Sequence, residues 1–136
     1  MRSIGPVESH RPAPLRVVIG DDERDTVSTL CTILQGEGYL PAGVYRGADV
    51  LPMVHSHTPH AVVLDIDMPG MSGYAVAQAI RLEFGERAPL LIAVSGKWIE
   101  QTDRLLASTV GFDHFLVKPC DPQQLLKLLD PLRRSE

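Results

Sequence analysis

Five short apolar runs, each followed by a stretch of helical periodicity, leave this chain few folds to choose from. The runs are Leu15–Ile19, a weaker Tyr39–Tyr45, Ala61–Asp65, Pro89–Val94 and Phe112–Val117. After the first, Val27, Leu30, Cys31 and Leu34 recur at helical spacing until Gly36 and Gly38 stop them. Gly47 to about Ser56 reads as a short helix, and Ala75, Val76, Ala79, Ile80 and Phe84 mark the next. Leu105, Leu106 and Val110 follow the fourth run and end at Gly111. Asp121-Pro122 caps a last helix striped by Leu125, Leu128, Leu129 and Leu132. Strict alternation of this kind implies right-handed crossovers and a parallel sheet with helices on both faces. The third run is continuously apolar, which suits a central strand covered on both sides.

At 136 residues the chain fits one domain with an adequate core. Pro6, Pro12 and Pro14 with no periodic pattern predict a flexible arm over 1–14, a domain over 15–133 and a short tail over 134–136. A net charge of -4 with scattered Lys and Arg lacks the basic stripe of a nucleic-acid binder. No apolar run approaches a membrane span, and Met1-Arg-Ser-Ile-Gly-Pro lacks a signal-peptide core, so a cytoplasmic protein that binds neither nucleic acid nor membrane is expected. Cys31 and Cys120 match neither a zinc site nor a disulfide framework and are expected as reduced thiols.

The polar residues that end the runs carry the chemistry. In an open parallel sheet the carboxyl ends of the strands face a crevice flanked by helix N-termini, where ligands bind. Asp21-Asp22, Asp65, Ser95 and Lys118 all fall at such ends. In a sheet ordered 2-1-3-4-5, Asp22 and Asp65 become neighbours at the switch point. Crowded carboxylates in an open cleft suit Mg²⁺, which shares its octahedron with phosphate oxygens. A carboxylate nucleophile forming an aspartyl phosphate is an established route, and Lys118 and Ser95 are the candidate partners of the phosphoryl oxygens. Taken singly, each residue reads as a helix cap, turn residue or solvated charge; together those readings require coincidences at four strand ends.

Asp21-Asp22, Asp65 with its Met-Pro-Gly-Met-Ser-Gly tail, Ser95-Gly96 and Phe115-Leu-Val-Lys118-Pro119 resemble the receiver domain of two-component response regulators over about residues 15–133. The resemblance implies a flavodoxin-like (βα)5 doubly wound sheet ordered 2-1-3-4-5. It implies that Asp65 is the phosphoacceptor and that Asp22, Asp65 and the backbone carbonyl of Asp67 bind Mg²⁺, with Asp21 helping through water. Ser95 and Lys118 become the phosphate-sensing residues, and the Lys118–Pro119 peptide is expected to be cis. Phe115 stands where the family often has tyrosine, so switching by packing survives without a hydroxyl. Asp67 and Lys97 occupy the positions that flank the path of attacking water, and an ion pair between them is expected to alter the phosphate lifetime.

The function implied is a phosphorylation-dependent switch that takes a phosphoryl group from a histidine kinase or phosphotransfer protein. Its output would be a protein contact or homodimer through the fourth helix, fifth strand and last helix, since the sequence stops just after that helix. A segment of a hybrid kinase fits the same ending. Trp98, Phe115 and Leu126 are candidates for that face, with ordinary packing the competing reading. Two other classes compete: a receiver-like interaction module that never uses phosphate, and a haloacid-dehalogenase-type phosphatase, because Asp65-Ile-Asp67 also reads as Asp-x-Asp. His55, His57 and His60 lack an acidic or thiol companion for a metal site and are expected on the surface, and His114 is expected at a strand edge.

Overall fold

The computed structural model describes residues 13–96 and 101–135. The elements are β1 (Arg16–Gly20), α1 (Arg24–Gly36), β2 (Leu40–Val44), α2 (Val50–His57), β3 (Ala61–Asp65), α3 (Gly73–Phe84), β4 (Leu90–Ser95), α4 (Gln101–Thr109), β5 (His114–Val117) and α5 (Pro122–Ser135). Single 3₁₀ turns precede α2 at Gly47–Asp49 and follow α3 at Gly85–Arg87. All strands are parallel, in the order β2-β1-β3-β4-β5. The alternation and strand order expected from the sequence are those observed.

Period-two alternation divides the sheet's side chains between two cores. Val18, Val62, Leu64, Leu91 and Ala93 point to one face, where α2 (Val50, Val54), α3 (Val76, Ala77, Ile80) and α4 (Ala107) cover them. Val17, Ile19, Ala61, Val63, Ile92 and Val94 point to the other, against α1 (Val27, Leu30, Leu34) and α5 (Leu125, Leu126, Leu129). β3 is buried at every residue, as its uninterrupted apolar run required.

The elements differ from expectation mainly at their ends. β5 begins at His114 rather than Phe112, because the Phe112 amide closes α4 on the Ala107 carbonyl and the Phe112 ring is buried. Gly111 just before it has φ 114°, a left-handed turn that glycine accommodates without strain. Asp121 does cap α5: its carboxylate accepts from the Gln123 amide at 2.9 Å and its carbonyl from the Leu125 amide. α5 extends to Ser135, into the span expected to be a tail. The expected arm lies almost wholly outside the described residues, as do Lys97 and Trp98 with the roles expected of them. Leu126 is 8% exposed and belongs to the α1–α5 core, so packing takes it and the partner-face role falls away.

Candidate functional site

Strand register assembles the site. β1 and β3 pair Gly20 with Leu64, so the next residues, Asp21 and Asp65, leave the sheet side by side. β3 and β4 pair Asp65 with Val94, one residue before Ser95; β4 and β5 pair Ser95 with Val117, one before Lys118. Further backbone bonds hold the strand ends together. The Asp21 amide donates to Val44, Ile66 to Val94, and Lys118 to Ser95 at 2.7 Å. The Lys118–Pro119 peptide is cis.

Asp21 and Asp65 are buried, 4% and 3% exposed, while Asp22 is exposed. Oxygens of these three side chains lie within 4.8 Å of one another. Each carboxylate is tethered by a main-chain amide two residues on: Glu23 donates to Asp21 Oδ1 and Asp67 to Asp65 Oδ1, both at 2.9 Å. The Lys118 ammonium fills the space between them, 3.0 Å from Asp65 Oδ2 and 3.2 Å from Asp21 Oδ2. Burial alone would lower the Lys118 pKa, but hydrogen bonds and charge from Asp65 and Asp21 outweigh it and hold the amine above the usual lysine range. Burial raises the Asp21 carboxyl above its ordinary value; the Glu23 amide and Lys118 oppose the shift, and the Asp65 charge adds to it.

Acid pairs at this depth repel, and one ammonium shared between two carboxylates leaves the cluster anionic. Only oxygen donors are present, which suits a hard divalent cation, so Asp21, Asp22 and Asp65 fit Mg²⁺. Among the described residues this is the one grouping of acids, histidines or thiols close enough to hold a metal. His55, His57 and His60 are otherwise engaged. His60 Nδ1 accepts from the Arg16 amide at 3.0 Å, His57 Nε2 lies 3.1 Å from the Leu40 carbonyl, and His55 pairs with Glu83 at 2.5 Å. His114 is exposed on the edge strand, as expected.

The loop from β3 to α3 is seated by two close glycine approaches. A Cβ on Gly73 would come within 2.5 Å of Ile66 Cα, and one on Gly47 within 2.1 Å of the Met71 carbonyl oxygen. Ser72 caps α3 by accepting from the Ala75 amide. Sequence reasoning missed Gly47, since a lone glycine before a helix gives no sign of what will lie against it. It also missed Glu23, whose carboxylate stands 3.7 Å from the Lys118 ammonium, although its place directly after Asp21-Asp22 was a visible cue.

Two neighbours of the acid cluster complete the arrangement. The Ser95 hydroxyl, 2% exposed, donates to Asp67 Oδ2 at 3.0 Å. Phe115 is half-buried against the core formed with α2, α3 and α4. Beside the acids, a recess of about 570 Å³ runs between α1 and the start of α5, past Thr26, Leu30, Pro119 and Cys120. Burial, with the charges of Asp121 and Asp21, pushes the Cys120 thiol up to about 11, so it is a protonated wall residue rather than a nucleophile. Cys31 and Cys120 are both free thiols.

Residues 17–130 match the response regulator receiver domain. The chain belongs to that family. It is 30% identical over 122 residues to the DNA-binding response regulator MtrA of Mycolicibacterium smegmatis, covering 89% of this chain and 52% of MtrA. It is also 30% identical over 129 residues to the transcriptional regulatory protein BaeR of Escherichia coli O6:H1, covering 95% of this chain and 51% of BaeR. The chain thus spans about half the length of these relatives. The chemotaxis response regulator CheY4 of Vibrio cholerae shares the fold, with a TM-score of 0.79 at 23% identity over 88% of this chain and 98% of that one.

Receiver domains are phosphorylation-dependent switches of two-component signalling rather than classical enzymes, and they bind Mg²⁺ at an acidic cluster of the kind seen here. Membership in this family, with the Asp-x-Asp after the third strand instead of the first, sets the phosphatase reading aside. Among the described residues, no helix is long and apolar enough to cross a membrane.

Proposed function

We propose that Asp65 is the phosphoacceptor, receiving its phosphoryl group from a phosphohistidine on a histidine kinase or phosphotransfer protein in the cytoplasm. The observation that carries this is the Lys118 ammonium 3.0 Å from a buried Asp65 carboxylate at the switch point of the sheet. An Asp65 oxygen attacks phosphorus, the P–N bond breaks, and its electron pair stays on the imidazole, which takes up a proton. Lys118, 3.0 Å from Asp65 Oδ2, would neutralise a phosphoryl oxygen, and Ser95 is the candidate hydroxyl donor to another.

Asp22, Asp65 and the backbone carbonyl of Asp67 would hold Mg²⁺, with Asp21 beside them. Bound there, the ion offsets repulsion between the carboxylates and the incoming phosphoryl oxygens. Asp67 and Lys97 flank the expected water path and would set the rate at which the domain loses its own phosphate.

Output would pass through the α4–β5–α5 face to a protein partner or a second copy. Leu105 and Leu106 of α4 and Val117 of β5 are exposed apolar side chains on these elements, and half-buried Phe115 of β5 would change its packing as Ser95 changes partner. The decisive experiment is intact-mass detection of acetyl-phosphate labelling with and without Mg²⁺, beside Asp65→Asn. One Mg²⁺-dependent phosphoryl adduct, lost in the variant, is expected. No adduct under conditions that trap short-lived species would instead favour a phosphate-independent interaction module.

A further inference from the structure

The Ser95 hydroxyl has a single hydrogen, and that hydrogen is committed. It is donated to Asp67 Oδ2 at 3.0 Å from a side chain that is itself 2% exposed. A phosphoryl oxygen on Asp65 only accepts hydrogen bonds, so Ser95 cannot serve Asp67 and a phosphoryl group with one hydrogen. The two bonds exclude each other.

We propose that the Asp67 side chain is a positioning residue that latches Ser95 in the unphosphorylated state, holding the hydrogen that the phosphorylated state requires. The inference rests on Asp65 as phosphoacceptor and Ser95 as its hydroxyl donor, and it adds a side chain that opposes the switch. Asp67 is well placed for this because it touches both ends of the event. Its amide donates to Asp65 Oδ1 at 2.9 Å, while its carboxylate accepts from Ser95. The Ser95 backbone is fixed as the last residue of β4, with its carbonyl accepting from the Lys118 amide at 2.7 Å. The hydroxyl must therefore change partner by side-chain rotation. A hydrogen bond to a carboxylate is among the stronger kinds, so the latch biases the switch toward off until a competing anion arrives.

Beryllofluoride, which mimics a phosphoryl group on a carboxylate, tests this in the full chain. Its affinity would be measured by ¹⁹F NMR in excess Mg²⁺ for the wild type, Asp67→Ala, Ser95→Ala and the double variant. Alanine at 67 keeps the backbone amide and carbonyl. The expected result is about three- to tenfold tighter binding for Asp67→Ala, the equivalent of one hydrogen bond. That gain should shrink by at least half in the Ser95→Ala background, where there is no hydroxyl to release. Asp67→Asn retains an acceptor and should fall between wild type and Asp67→Ala.

An equal gain with and without the Ser95 hydroxyl would mean that Asp67 acts by charge repulsion alone, which overturns the latch. Unchanged or weaker binding by Asp67→Ala also overturns it, while leaving Asp65 as phosphoacceptor. Failure of the folded wild type to bind beryllofluoride would remove the phosphoacceptor reading and the latch with it.

Discussion

Two carboxylates, Asp21 and Asp65, are buried side by side and share one ammonium, and the cost of that arrangement shows in Asp21. Burial raises its pKa, so the folded state keeps the proton to a higher pH than the unfolded chain, whose carboxyl titrates near 3.8. Stability contributed by this group is complete below 3.8 and is lost as pH rises through the folded value. In metal-free buffer, Asp21→Asn should therefore be more stable than wild type at pH 7. The advantage should shrink as the pH is taken below 3.8, where both states of the wild type are protonated. Urea unfolding at both pH values measures it, and a gap that does not change with pH would show that burial of this charge is not the cause. The identity of Asp21 was legible from its place after an apolar run; its strain was not, because burial depends on what α1 and the β5–α5 loop lay over it. The partner of the Ser95 hydroxyl was equally hidden. Nothing in the sequence pointed to the hydroxyl 28 residues away that donates to the Asp67 carboxylate; the expected pairing of Asp67 with Lys97 lies outside the described residues.

At the scale of elements, α5 shows how tertiary contacts sustain a helix with a local flaw. Pro131 lies inside it and removes an amide donor from the backbone ladder. The same turn is tied down from outside. The Tyr39 hydroxyl donates to Asp130 at 2.5 Å, the Arg133 guanidinium stacks 3.9 Å over the Tyr39 ring, and Arg133 also donates to the Glu37 carbonyl. Tyr39→Phe should cost about 1 kcal/mol and speed amide exchange in the last turn of α5, leaving the β-sheet amides protected. Hydrogen exchange resolves the two; an equal loss of protection through the sheet would show that the contact supports the whole domain instead. The leucine stripe of α5 and its Asp121 cap were readable, since both are spacings within one helix. The Tyr39 tether was not, because it joins residues 91 positions apart.

For the whole molecule, a metal that binds only the folded state must stabilise it. At a Mg²⁺ concentration 100 times the dissociation constant the gain is about 2.7 kcal/mol, and thermal unfolding with Mg²⁺ against EDTA should show the corresponding rise in Tm. Asp65→Asn should lose most of that rise; an equal rise in both proteins would place the ion away from the acid cluster. The amino-acid sequence by itself determined the order of elements, the two-faced burial of the strands and which residues stand at their carboxyl ends, because periodicity and breaker residues are properties of near neighbours. Tertiary structure decided which of those residues touch. Lys118 reaches Asp65 across 53 positions only because β3, β4 and β5 pair in one particular register. Ser95 gives its hydrogen to Asp67, and Gly47 makes room for the Met71 carbonyl, through contacts between distant segments. Such choices are settled by competition for space and for hydrogen-bond partners once the sheet has closed, and no local pattern in the chain records them.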